Sequence, residues 1–237
     1  MYAQRVVLAA LVSLLSPLDF RAQGASPLQY RKEPPYDLKA AFGTTGDWKA
    51  VVTAAVEPAR EFESHEGTSQ SRICFVSAAS PNSECTYFTD LFHSNLTVQV
   101  LSSLSVVQLR SGSAPTNGLV MKAAAWYDTG QVPETAIWVY DAQQDHFHLL
   151  TTLESGEVRI FGSGFLSGIL VTADWHRDEE ESRWSDHRRD ITVYRYSVDN
   201  GEASYRKVLA YTTTRKYGAE DTGTIDAERT NMEAKIR

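Results

Sequence analysis

The sequence has 237 residues, of which 42% are hydrophobic and 22% are charged, and its formal net charge is −7. This composition is that of a globular protein and excludes an intrinsically disordered chain, and the length gives room for one large or two small domains. The negative balance argues against nucleic acid as a partner, because contacts to phosphate need clustered lysine and arginine.

The first 24 residues have the form of a secretory signal peptide. Arg5 precedes an apolar run from Val6 to Leu15, and Ala22 and Gly24 place small residues at the positions that a signal peptidase reads. The run is too short to span a bilayer. We therefore expect cleavage after Gly24, a secreted or periplasmic protein, and no membrane span in the mature chain. The alternative is a buried N-terminal helix.

Residues 25–46 are rich in proline and lack periodicity, which predicts an extended lead-in that lies along the domain. Beyond them, branched or aromatic residues alternate with polar ones, as in β-strands. In "AIWVYD", isoleucine and valine fall on one face of the strand, and Trp138 and Tyr140 fall on the other. Strands with two apolar faces are covered on both sides. Residues 47–237 are thus predicted to form a single β-rich domain.

Cys74 and Cys85 are the two cysteines of the chain. They flank a segment rich in Ser, Pro and Asn that reads as a turn between two strand-like runs, "RICFV" and "CTYF". An antiparallel hairpin centred near Ala79 and Ser80 places the two cysteines opposite each other. We predict a disulfide worth roughly 3 kcal/mol in an oxidising compartment. The alternative is a buried pair of free thiols.

Strand-like runs recur along the chain with matching spacing. The separations are 22 and 14 residues in both Val51, Ile73, Tyr87 and Ile169, Ile191, Tyr205. A middle copy, "GLVMKAAAWY", "TAIWVYD" and "HFHLL", keeps the order, and "VQVLSSLSVVQLR" and "GEVRIF" lie between copies as extra strands. The pattern predicts a mostly β fold, propeller-like or a sandwich, built from about three similar strand-loop-strand-turn-strand units. Chance spacing among regular turns is the alternative.

The end of the chain, residues 222–237, predicts a short C-terminal helix. A threonine can cap its start, acidic residues lie in its first turns, and basic residues lie at its end. Ile225, Met232 and Ile236 form one narrow stripe. We expect this stripe to dock the helix on the β domain. A helix that binds a partner is the alternative.

Two charged loops join the first strand to the second strand in the first and third units. Their candidate ligands for a divalent metal are His65, His176, Asp178 and His187. Neither loop shows the spacing of a recognised zinc motif, and arginines within residues 176–190 compete for the same carboxylates. The favoured interpretation is a solvated loop, without catalytic residues and without a cofactor.

The run "HFH" places His146 and His148 on the same face of a strand, two residues apart. Such a pair can chelate a metal, but the sequence identifies no third ligand. The favoured interpretation is a polar strand face opposite a buried Phe147.

Short motifs in about the last hundred residues resemble a group of uncharacterised secreted bacterial all-β proteins. The motifs are "YDAQQDHF", "SGFLSGILV", "ITVYRYS", "YRKVLAYTT", "KYG" and "IDAE". The resemblance implies an exported protein. It supplies no functional residues that can be carried over.

The sequence therefore predicts an exported, non-enzymatic binding or interaction protein of the bacterial envelope, with another envelope or secreted protein as its partner. This prediction rests on the lack of a recognisable catalytic constellation and on the long polar loops at a candidate common edge. The alternative is a metal-dependent periplasmic hydrolase that uses the histidines and carboxylates of the charged loops.

Overall fold

A computed structural model describes most of the chain after residue 27. The described residues are 28–56, 69–78, 80–93, 98–111, 114–127, 130–176, 178, 182, 185–199, 201–218 and 221–237. The predicted signal peptide, residues 1–24, lies outside them.

The first sheet is antiparallel and contains five strands, and two short helices accompany it. Its elements are β1 (Tyr30–Lys32), β2 (Tyr36–Asp37), α1 (Lys39–Phe42), β3 (Lys49–Ala55), β4 (Arg72–Ser77), β5 (Ser80–Tyr87) and α2 (Phe88–Leu91). The strands lie in the order β1-β3-β4-β5, and β2 also pairs with β3.

The second and third sheets are antiparallel, and each has four strands in chain order. The second sheet contains β6 (Gln99–Ser111), β7 (Ala114–Tyr127), β8 (Gly130–Asp141) and β9 (His146–Glu154). The third contains β10 (Glu157–Ile160), β11 (Ile169–Trp175), β12 (Arg189–Asp199) and β13 (Glu202–Thr212). The chain continues into α3 (Thr224–Ala227) and α4 (Arg229–Ile236).

The prediction of a mostly β fold is confirmed, with 59% of the structure in strands and a sandwich-like arrangement of three sheets. The strands of each predicted unit coincide with three successive strands of one sheet, namely β3 to β5, β7 to β9 and β11 to β13. The two runs between the units form β6 and β10. That the three units are true sequence repeats stays a prediction.

The three sheets are stacked face to face, with the second sheet in the middle. One core lies between the first and second sheets, where Phe75 stacks on Phe147 at 5.0 Å and meets Trp138 edge-on at 5.7 Å. Another core lies between the second and third sheets, where Ile137 and Leu170 are both fully buried. The second sheet is therefore covered on both faces.

Strand β8 shows the effect of this position most clearly. Its six residues from Glu134 to Val139 are all buried, with exposed fractions of 4% or less. Ala136 and Trp138 belong to the core with the first sheet, whereas Ile137 and Val139 face the third sheet. The two apolar faces of "AIWVYD" thus correspond to two different layers.

The described part of the predicted lead-in contains regular structure. Strands β1 and β2 both pair with β3, and Leu38 between β2 and α1 is fully buried. Phe42 contacts Phe147 of the second sheet edge-on at 5.0 Å. The backbone groups of an extended segment beside an open sheet edge find hydrogen-bond partners there, so this segment covers one edge of the first sheet.

The C-terminal helices pack on the outer face of the third sheet through the predicted stripe. Ile225 and Met232 are fully buried in a cluster with β11 and β12, and Ile236 packs against it. The Glu157 carboxylate accepts hydrogen bonds from the backbone N–H groups of Thr224 and Ile225, which satisfies two donors at the start of α3. No helix within the described residues is long and apolar enough to cross a membrane.

A second polar contact holds this helical segment. The Glu228 carboxylate accepts hydrogen bonds from the hydroxyls of Tyr211 and Tyr217, at 2.9 and 2.7 Å, and from the Asn231 side chain at 2.8 Å. Burial alone would raise the pKa of Glu228, but the three hydrogen bonds hold it below its ordinary value. The charged form of this glutamate therefore ties the helices to β13.

The predicted disulfide is present between Cys74 and Cys85. The two residues are directly opposite in the register of β4 and β5, with their Cα atoms 4.0 Å apart. The bond closes a short loop at one end of the first sheet and lies on the face that points away from the second sheet.

Replacing both cysteines, Cys74→Ala with Cys85→Ala, should lower the free energy of unfolding by roughly 3 kcal/mol, because the unfolded chain regains the entropy of an open loop. Urea denaturation of the oxidised protein measures this loss. Dithiothreitol should destabilise the wild type similarly and leave the double variant unchanged. A reductant effect of equal size on both proteins would contradict the assignment.

Candidate functional site

The structure brings two of the predicted metal ligands together at the end of the third sheet. His176 Nδ1 lies 2.9 Å from an Asp190 carboxylate oxygen, and His176 Nε2 lies 3.5 Å from Asp178. The Arg188 guanidinium donates to Asp178 at 2.6 Å, and this hydrogen bond holds the pKa of Asp178 below its usual range. The carboxylates beside His176 are therefore engaged in ion pairs and hydrogen bonds within the fold.

His187 does not join His176 and its carboxylates, because successive side chains of an extended chain point to opposite sides. Its ring stacks on Trp175 with centroids 4.9 Å apart, and its backbone pairs with Tyr217. Arg189, two residues further on, also lies over the Trp175 ring at 5.0 Å. His187 thus faces Trp175, whereas His176 faces Asp190 on the opposite side.

The remaining predicted ligands do not complete a site. His65 lies outside the described residues. The rings of His146 and His148 stack with centroids 6.4 Å apart. His146 Nδ1 lies 3.2 Å from the Glu84 carboxylate, a neighbour that was not predicted from the sequence. Within the described part of the chain, no three His, Cys, Asp or Glu side chains are placed to hold a metal ion.

A cleft lies between the second and third sheets. We call it the interlayer cleft; it has a volume of about 580 Å³, with β6, β7 and β8 on one wall and residues 155–160 on the other. Clefts of about 300–1,000 Å³ are the usual size for small-molecule sites. The interlayer cleft is therefore the candidate functional site.

The cleft exists because the strands that face each other differ in length. Strand β7 has 14 residues and β8 has 12, but the opposing edge strand β10 has only 4. The middle of β7 is covered, since Val120 packs with Val158 and Leu170. Beyond Val120, Lys122 and Ala124 of β7 line the cleft, with residues 155–160 on its other side.

Strand alternation decides which side chains point into the cleft. On β7, Lys122 and Ala124 lie on the same face as Val120, towards the third sheet. On β8, Thr135 lies directly opposite Lys122 in the register and shares this face. On β10, Val158 and Ile160 point back at the second sheet. The cleft thus has apolar walls with Lys122 at its open end.

The other charged residues that line the cleft direct their side chains away from it. The Glu157 carboxylate binds the backbone at the start of α3, and Arg159 pairs with Asp226 of the same helix. Glu134 lies on the opposite face of the second sheet. Among the described lining residues, Lys122 is therefore the one charged side chain that faces the interior.

Lys122 reaches across the cleft. Its ammonium nitrogen donates to the Val158 backbone carbonyl at 2.9 Å, which links the two walls. An ammonium group has three N–H donors, so this contact leaves two for other acceptors. Ser102 and Ser105 of β6 add hydroxyl groups to the same rim. The apolar floor of the cleft is formed by Val107, Val120, Val158 and Ile160. A ligand here meets hydrogen-bond donors and one positive charge above this floor.

A buried polar pair lies on the other side of the second sheet. The Gln99 side chain donates to the Glu134 carboxylate at 3.3 Å, and the two residues are 0% and 1% exposed. The pKa of Glu134 is raised from 4.5 to about 7, mainly because burial disfavours the charged form. The Gln99 hydrogen bond lowers this pKa, and the nearby charge of Glu154 raises it further. A carboxyl with a pKa near neutrality suits proton transfer, but its enclosure keeps a substrate from reaching it.

No protein-family model, curated protein or solved structure matches the chain. The functional assignment therefore rests on the geometry of the chain itself.

Sequence reasoning did not find the interlayer cleft. Lys122 stands within "GLVMKAAAWY", where a single lysine on a strand is typical of a solvated position. The one usable signal was Ala124, two residues after Lys122, because a small side chain on the same strand face leaves room beside the lysine. That signal gains meaning only when the opposing layer is known.

Glu134→Gln should stabilise the protein at pH 8 and change it little at pH 4.5. The pKa of Glu134 is raised on folding, so its ionisation destabilises the fold progressively as the pH rises from about 4.5 to about 7. The shift in pKa between the unfolded and the folded state corresponds to a loss of about 3 kcal/mol in the free energy of unfolding above pH 7. Urea denaturation at both pH values measures it. The exposed Glu202→Gln is the control, and an equal effect of Glu134→Gln at both pH values would contradict the assignment.

Proposed function

We propose that this chain is an exported, non-enzymatic binding protein of the bacterial envelope, and that the interlayer cleft is its ligand site. The observation that carries the proposal is the opening of the sandwich at one end, with an apolar floor and a polar rim. A sandwich whose sheets had matched lengths would bury this floor between its layers.

The chemistry of the lining supports binding. Val107, Val120, Val158 and Ile160 form the apolar surface, and hydroxyl groups and Lys122 form the polar part. Small-molecule sites in proteins combine a mainly apolar wall with a few placed polar groups in this way.

Two further features support export. The disulfide between Cys74 and Cys85 is of a kind that forms and persists in oxidising compartments. The first 24 residues have the order of charge, apolar run and small residues that a signal peptidase processes. The resemblance of short C-terminal motifs to a group of secreted bacterial proteins favours the same location.

Ala124→Leu should block the cleft, because the larger side chain extends from β7 over its floor. Nile red, an uncharged dye that fluoresces in apolar sites, should bind the wild type and bind this variant several-fold more weakly. Ala234→Leu, on the exposed side of α4, is the matched control and should bind as the wild type does. Equal binding by the two variants would place the dye elsewhere and remove the support for the cleft.

Export predicts the mass of the mature protein. When the full chain is expressed in a bacterium, the periplasmic or secreted protein should begin at Ala25, as read by intact-mass measurement. A full-length, cytoplasmic product would contradict this part of the proposal.

A further inference from the structure

The geometry points to a ligand of defined chemistry in the interlayer cleft: a small amphiphile with one aliphatic chain and one singly charged anionic head, as in a medium-chain carboxylate. This inference deepens the proposed function and rests on it. The aliphatic chain would lie along the floor between the sheets, and the carboxylate would bind the Lys122 ammonium group.

The charge of the head group follows from the lining. Among the described lining residues, Lys122 is the one charged side chain that faces the interior, and none of the described carboxylates pairs with it. Its contact with the Val158 carbonyl fixes the ammonium group at the mouth of the cleft and leaves two N–H donors for a ligand. One fixed positive charge matches one negative charge and leaves the second charge of a dianion uncompensated.

The hydroxyl groups beside Lys122 complete the binding of a carboxylate. Thr135 lies opposite Lys122 on β8 and shares its strand face, and Ser102 and Ser105 of β6 also line the cleft. Directly opposite residues have Cβ atoms about 5 Å apart. A carboxylate accepts up to about four hydrogen bonds, more than a lysine alone can donate.

The apolar residues of the floor indicate that the rest of the ligand is an aliphatic chain. Val107 and Ile160 are only partly buried although they pack against the same core as Val120 and Val158. Covering this apolar surface with an aliphatic chain removes it from water, which is favourable. The side chains of Val107, Val120, Val158 and Ile160 give no hydrogen-bonding group to the distal part of a sugar or a peptide, so an unbranched chain fits this surface better.

Three probes with the same chain length separate the contributions of charge and chain. Dodecanoate should displace Nile red from the wild type, dodecanol should do so more weakly, and dodecyltrimethylammonium should be the weakest, all below their critical micelle concentrations. Lys122→Gln should weaken dodecanoate about tenfold and leave dodecanol unchanged. Lys122→Arg should retain most of the affinity, because it keeps the charge.

Lys207→Gln, an exposed lysine on β13, is the matched control and should bind dodecanoate as the wild type does. Circular dichroism and the melting temperature confirm that each variant is folded. If all three probes bind equally, and Ala124→Leu blocks them, the cleft is a ligand site but the anionic amphiphile is wrong. If none of the probes nor Nile red responds to Ala124→Leu, both the proposed function and this inference fail.

Discussion

The structure depends on one constraint, which is that the second sheet is covered on both faces. Its strand β8 buries six successive residues, so alternate side chains belong to two different cores. The first sheet packs on one face and the third sheet on the other, and the C-terminal helices then cover the outer face of the third sheet. Each layer hides an apolar face that its neighbour would otherwise expose to water.

This constraint also determines where polar groups matter. A polar side chain on the middle sheet must either find a partner between the layers or stand where the layers separate. Glu134 takes the first position, enclosed with Gln99 and at a raised pKa. Lys122 takes the second, at the end of β7 that the short strand β10 leaves uncovered. The same sheet therefore contains a buried carboxyl with no access to ligands and a cation that faces an open cleft.

Sequence reasoning predicted the parts of the fold that depend on local pattern. The two apolar faces around Trp138 and the stripe of Ile225 and Met232 were visible as periodicity, and the hairpin that joins Cys74 to Cys85 was visible from its turn residues. The order of the layers was not, since alternation shows that a face is apolar but not which sheet covers it. The cleft was invisible for the same reason, because it arises from a difference in length between strands that are distant in sequence.

The charged loop at residues 176–190 attracts attention in the sequence, but several charged side chains of its described residues have partners within the fold. Asp178 pairs with Arg188, His176 with Asp190, and Arg189 lies over Trp175. Charged groups that pair with each other leave less of their field for a ligand. A single lysine above an apolar surface has no such local compensation. In this fold the isolated charge, rather than the charged cluster, is the better candidate for recognition of a ligand.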